Sequence, residues 1–112
     1  MAGKFEIKQS TNGKFYFNLK AGNGQIILSS EMYETRDAAE NGIESVKKNS
    51  ADATRFEKRT AANGDSYFVL KAGNEQEIGR SETYSSDSAC DNGIGSVGMN
   101  AADAEIVDTT QA

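Results

Sequence analysis

YFNLKAGN at residues 16–23 returns as YFVLKAGN at residues 67–74, and the reading of that return decides the fold. Offset by about 51 positions, residues 4–54 align with 55–105 without a gap, and about half of the pairs are identical. The retained blocks run through each copy: FE at Phe5 and Phe56, Asn12-Gly13 and Asn63-Gly64, SE-x-Y ending at Tyr33 and Tyr84, and NGI-x-SV within AENGIESVKKN and CDNGIGSVGMN. AEIVD, residues 104–108, matches the start of a third copy.

Within a copy, KFEIKQ and KFYFNLKA have strand composition and flank an Asn-Gly turn, which supplies the positive φ of a two-residue hairpin or its close relatives. AGNG is a second turn cluster and leads into QIILSS, a third strand. A helix then opens at Thr35 or Ser86 as N-cap, with Asp37 and Asp87 in the first turn. Ala39, Gly42, Ile43 and Val46 recur at helical spacing, as do Cys90, Gly93, Ile94 and Val97. Glycine inside a helix costs roughly 0.8–1 kcal/mol relative to alanine, so Gly42 and Gly93 imply close packing against the sheet or the twin helix.

The expected fold is α+β: one domain over 1–112, a tandem βββα repeat (4–54 and 55–105) with a closing strand at 104–109. A single antiparallel sheet carries both helices on one face. TRFEKRT, residues 54–60, is expected to close the first unit and open the second. Strand alternation assigns Phe5, Ile7, Phe15, Phe17, Leu19 and Ile27 to the covered face, with Phe56, Phe68, Leu70 and Ile78 as counterparts.

These blocks, above all NG-x-YF-x-LKAGN and the helix AENGIESVKKN, resemble the YegP-like family of small bacterial proteins over nearly the whole chain. The resemblance implies tandem βββα units in one sheet with exchanged terminal strands, the body that single-unit relatives form as dimers, so this chain is expected to be a monomer with internal pseudo-dimer symmetry. It brings no activity, cofactor, catalytic residue or binding residue. The second helix departs from the first where Gly95 and Gly98 replace Glu44 and Lys47.

Composition narrows function by exclusion. The chain has no histidine, which removes Ser/His and Cys/His nucleophile pairs and ordinary zinc sites. Its single cysteine, Cys90, forms no internal disulfide and aligns with Ala39, as a buried small side chain would. Net charge is −5; residues 1–54 hold seven basic and seven acidic side chains, and 55–112 hold five and ten. That balance argues against a duplex-DNA binder. MAGKFEIKQS lacks a signal-peptide apolar run, and nowhere do about 18 consecutive apolar residues occur. The expectation is a soluble cytoplasmic protein with no membrane contact.

Three surfaces remain as candidates. Tyr16 and Lys20, with Tyr67 and Lys71, fall on the second sheet face, where aromatic rings beside lysines would stack bases and hold phosphates; tyrosine is equally a good strand former and lysine an edge protector. Asn41 and Asn92 would offer amides to a groove between the helices, or be solvated. Ile26 and Leu28 stand where the second copy has Glu77 and Gly79, and are read as an apolar pair opposite Ile27 that docks a partner chain or a second copy of the protein, or lies under the C-terminal tail. The reading is a non-enzymatic interaction module. Single-stranded nucleic-acid binding through the Tyr/Lys face is the alternative, and an enzyme without histidine or metal is the third.

Overall fold

The computed structural model describes residues 3–110. Alternating apolar residues form β1 (Lys4–Gln9) and β2 (Phe15–Lys20), and β3 (Ile26–Ser30) completes a meander before α1 (Arg36–Asn49). A short 3₁₀ turn at Ala53–Arg55 leads into the second copy: β4 (Phe56–Thr60), β5 (Ser66–Lys71), β6 (Glu77–Arg80), α2 (Asp87–Ala101) and a last strand, β7 (Glu105–Asp108). Both expected N-caps are made: Thr35 Oγ1 accepts from the Ala38 N–H at 3.0 Å and Ser86 Oγ from that of Ala89 at 3.1 Å.

One turn serves all four hairpins. The Gly13 N–H donates to the Ser10 carbonyl at 3.1 Å, the Ser10 N–H donates to that of Lys14 at 2.8 Å, and Gly13 holds φ +85°. This is the three-residue relative of the two-residue Asn-Gly hairpin, a type I turn closed by one left-handed residue. Ala21–Gln25, Ala61–Asp65 and Ala72–Gln76 repeat the same bonds. In the last of these Glu75 occupies the left-handed position at φ 72°, where the other three have glycine.

The seven strands form one sheet in the order β4-β5-β6-β3-β2-β1-β7. The two meanders join at β3–β6, where Ser29 pairs with Arg80, its own counterpart in the repeat. A pseudo-twofold axis therefore passes through the centre of the sheet. The sheet departs from the expected all-antiparallel arrangement at one place, because β7 pairs with β1 in parallel. The reason is where α2 ends: a Cβ on Gly3 would stand 3.1 Å from Asn100 Oδ1, so the chain leaves α2 beside the start of β1 and runs on alongside it. β4 also differs from expectation. It pairs with β5 at the far edge and opens the second unit without closing the first.

Both helices lie on one face, α1 on β1 and β2 and reaching β5 and β6, α2 on β5 and reaching β1, β2 and β3. They cover Phe5, Ile7, Phe17, Leu19, Phe68 and Leu70, against which α2 packs Cys90 and Val97. Leu28 belongs to this core, which corrects its assignment to the exposed face. A bulge matches Leu19 with Leu28 but Lys20 with Ile26, so Ile27 is the inserted residue and Leu28 turns inward beside it. Its counterpart in the other copy is small for the same reason. A Cβ on Gly79 would lie 2.6 Å from the Ser29 carbonyl oxygen and 3.3 Å from Leu28 Cγ. Two leucines would collide at the axis; one leucine and one glycine fit.

Candidate functional site

The mid-helix glycines lead to the site. A Cβ on Gly42 would lie 2.4 Å from Tyr33 Oη and 3.0 Å from Phe17 Cε2, and one on Gly93 would meet Tyr84 Oη and Phe68 Cε2 at the same distances. Each glycine thus makes room for a tyrosine on the sheet rather than for the twin helix. Backbone bonds pin that tyrosine to the second strand: the Tyr33 N–H donates to the Phe15 carbonyl at 2.7 Å and the Phe15 N–H donates back at 2.8 Å; Tyr84 and Ser66 do likewise. The Tyr33 ring stacks on Phe17 at 6.2 Å, and Phe17 meets Phe5 edge-on at 5.7 Å; Tyr84, Phe68 and Phe56 form the same ladder at 6.3 and 5.5 Å.

Each tyrosine borders a cleft formed with the third strand of the other repeat. The larger, about 520 Å³, is bounded by Tyr84 and Glu82 against Lys20, Gln25, Ile26 and Ile27. Its twin, about 270 Å³, sets Tyr33 and Glu31 against Gln76, Glu77 and Ile78. The axis relates the two, and the sharpest chemical difference is Ile26, 37% exposed, in place of Glu77. Burial pushes the Tyr33 phenol above its ordinary pKa with help from Glu31, and burial does the same for Tyr84, with Cys90 and Glu82 adding to it. Both phenols stay protonated at neutral pH. They are hydrogen-bond donors beside amides and carboxylates.

Tyr16 and Tyr67 are half-buried on the sheet face away from the helices, and the lysines beside them are matched by acids. Lys20 Nζ lies 3.0 Å from Glu6 Oε1, and Lys71 Nζ lies 2.6 Å from Glu57 Oε1. On the second copy the pairing is continuous, since Arg59 bridges Glu57 at 2.7 Å and Glu77 at 2.8 Å over fully buried Val69. Lys71 and Arg59 hold the Glu57 carboxyl down at about 2, and Glu57 in turn raises Lys71. Arg80 stacks over the Tyr67 ring at 5.9 Å. On this face Lys8, Lys20, Arg59, Lys71 and Arg80 share three carboxylates, Glu6, Glu57 and Glu77, so pairing lowers its positive charge without cancelling it.

Asn41 and Asn92 are exposed and line neither cleft. Ile26 is brought into the larger cleft and Leu28 is not. Sequence reading passed over Tyr33, Tyr84, Glu82 and Gln25. Their signal was available: SE-x-Y is retained in both copies, and each tyrosine precedes its helix glycine by nine residues. Among the described residues no group of three or more Cys, Asp and Glu side chains gathers to hold a metal ion, and no helix is long and apolar enough to cross a membrane.

A seven-stranded sheet built from two fused βββα units around an internal axis, with paired Tyr-lined clefts, defines a tandem-repeat protein. The domain described as "Domain of unknown function (DUF1508)" matches residues 10–57 and again 61–108. The chain is 52% identical over 108 residues to the UPF0339 protein YegP of Yersinia pestis, covering 96% of each. Against YegP of Escherichia coli K12 it is 47% identical over 110 residues, covering 98% of this chain and 100% of that one. The solution structure of E. coli YegP, titled a protein of unknown function, superposes with a TM-score of 0.94 at 46% identity over 100% of this chain and 97% of the other. That of a UPF0339 protein from Shewanella oneidensis gives 0.90 at 50% identity, over 96% and 92%. This chain belongs to the UPF0339 family, with two DUF1508 repeats.

Proposed function

We propose that the protein is a non-enzymatic interaction module, acting as a monomer in the bacterial cytoplasm, that receives an apolar side chain of a partner protein in the larger cleft over Ile26 and beside Tyr84. The observation that carries this reading is the broken symmetry of the clefts: the larger presents exposed Ile26 where its twin presents Glu77. Ile26 sits between Gln25 and buried Ile27, with Glu82 across the opening, an apolar floor with a polar rim.

The protonation states support binding over catalysis. Burial raises the Cys90 thiol as it does both phenols, ion pairs and hydrogen bonds lower Glu6, Asp52, Glu57 and Asp108, and Lys58 and Lys71 are raised. Each shift holds the group in its resting form, whereas a general acid or base works best with a pKa near the operating pH.

Ile26→Glu, which copies the second repeat, tests the reading in affinity capture with and without nuclease. Expected is a captured protein that survives nuclease and is lost with Ile26→Glu at unchanged melting temperature. Capture that is abolished by nuclease and untouched by Ile26→Glu overturns the reading.

A further inference from the structure

The pseudo-twofold axis matches β1 with β4, yet only β1 has a strand outside it. β7 lies against β1 through bonds from the Glu105 N–H to the Gly3 carbonyl at 3.4 Å and from the Thr109 N–H to that of Ile7 at 3.0 Å. Beyond β4 the described residues place no strand.

The β4 edge is open in its hydrogen bonding. Phe68 N donates to Ser81 Oγ at 3.0 Å and its carbonyl accepts from the Ser81 N–H at 2.9 Å, so its backbone groups point to β6. Lys58, opposite Phe68, therefore turns its N–H and C=O outward, and by alternation so do Phe56 and Thr60. Side-chain burial reports the same vacancy. Phe5 is fully buried with Ile106 aligned beside it, whereas its counterpart Phe56 is half-buried.

Charge distinguishes the two slots. Beside β1, Asp108 of β7 reaches Arg36 in the first turn of α1. The residue matching Arg36 in α2 is Asp87, and Asp91 one turn on is engaged by Lys58 at 2.9 Å. The Asp108 position lies beside Ile7, whose counterpart is Lys58, and Asp91 already answers that lysine. Asp87, which among the described residues accepts only from Ser66 Oγ at 2.8 Å, is therefore the carboxylate without a counter-charge. An acid at this position would meet it, and Lys or Arg would restore the same pair with its polarity reversed. With one lysine against two carboxylates, the slot disfavours the acidic β7 strand of a second copy. Two copies joined antiparallel and centred on Lys58 would also set Lys58 against itself.

We infer that the free edge of β4 binds an extended segment of a partner protein, parallel to β4, with an apolar residue beside Phe56 and, two residues on, a lysine or arginine that faces Asp87. Backbone bonds to the outward groups of Phe56, Lys58 and Thr60 supply the affinity, and Asp87 with Phe56 supplies the choice. This surface is separate from the Ile26 cleft, so either stands if the other fails.

The test is a titration of the isotope-labelled full chain, followed by amide shifts, with two capped peptides of residues 103–110, one native and one carrying D108R. The D108R peptide is expected to shift Phe56, Lys58 and Thr60 and to bind at least about tenfold more tightly than the native one, and Asp87→Arg should invert that order. Lys58→Pro removes an outward N–H that the sheet does not use and should abolish the shifts in a folded protein. The inference is overturned by no shift along β4 with either peptide at millimolar concentration, by equal binding of the two, or by binding that survives Lys58→Pro. Concentration-dependent shifts along β4 without peptide would make a second copy the occupant and overturn it as well.

Discussion

Compared about the axis, the two repeats agree away from it and disagree on it. The aromatic ladder, the glycine over its tyrosine and the capped helix are duplicated almost atom for atom, because each depends on contacts inside one half. At β3–β6 the halves meet, and there Leu28 faces Gly79. A duplicated chain packs on its own axis only where a large residue finds a small one. The difference between the copies at this point is therefore structural, whereas Ile26 against Glu77 is a difference in the clefts that the Leu28–Gly79 contact does not require.

Breaking the axis should have the largest effect. Leu28→Ala removes a fully buried side chain and is expected to cost about 2–5 kcal/mol, measured by denaturant unfolding, with the whole chain losing stability in one transition. A loss below about 1 kcal/mol would mean that Leu28 does not fill the axis.

The agreement of the halves is tested next. Gly42→Ala and Gly93→Ala each set a Cβ 2.4 Å from a tyrosine hydroxyl, and each should destabilise by about 1–3 kcal/mol despite alanine's better helix propensity. Tyr33→Phe deletes the nearest clashing atom, so Gly42→Ala should cost less in that background. A stabilised single variant, or strict additivity of the pair, would reject the contact.

The helices themselves differ more modestly. Gly95 faces open space and α2 has no basic last turn, whereas Lys47 and Lys48 close α1. Gly95→Ala should therefore stabilise by about 0.5–1 kcal/mol. Native amide exchange should be faster across Gly93–Asn100 than across Gly42–Asn49 after correction for intrinsic rates. Equal opening free energies in matched residues would remove the asymmetry.

The smallest effect belongs to the β7 edge. Hydrogen bonds from Thr110 and then Arg36 lower the Asp108 carboxyl to about 2 from an ordinary value near 3.8. Its folded pKa lies below the unfolded one, so its contribution is present above pH about 4 and is lost as pH falls towards 2. Melting temperature followed from pH 5 to 2 should fall less steeply in Asp108→Asn than in the parent. Identical slopes would show that the ionised Asp108 carboxylate, with its Thr110 and Arg36 partners, contributes nothing.

The strands, their order within each meander, the turns, both caps and most of the core were legible because each rests on chemistry within a few residues: alternation in KFEIKQ, Asn-Gly between strands, Thr35 and Ser86 before apolar helices. Of the site, Ile26 was legible through its contrast with Glu77, while Tyr33 and Tyr84 were hidden because a tyrosine between strand and helix reads as loop until its ring is seen on Phe17 or Phe68. Leu28 was misplaced because a bulge shifts the period-two alternation by one residue without a mark in the sequence.

By itself, then, the sequence determined a duplicated βββα unit and its family. Only the tertiary structure decided that β7 runs parallel to β1, that β4 keeps an open edge, and that Leu28 turns inward against Gly79. Those three outcomes depend on where helices end over the sheet and on which side chains meet across the axis, between residues too distant in the chain for local propensity to couple them.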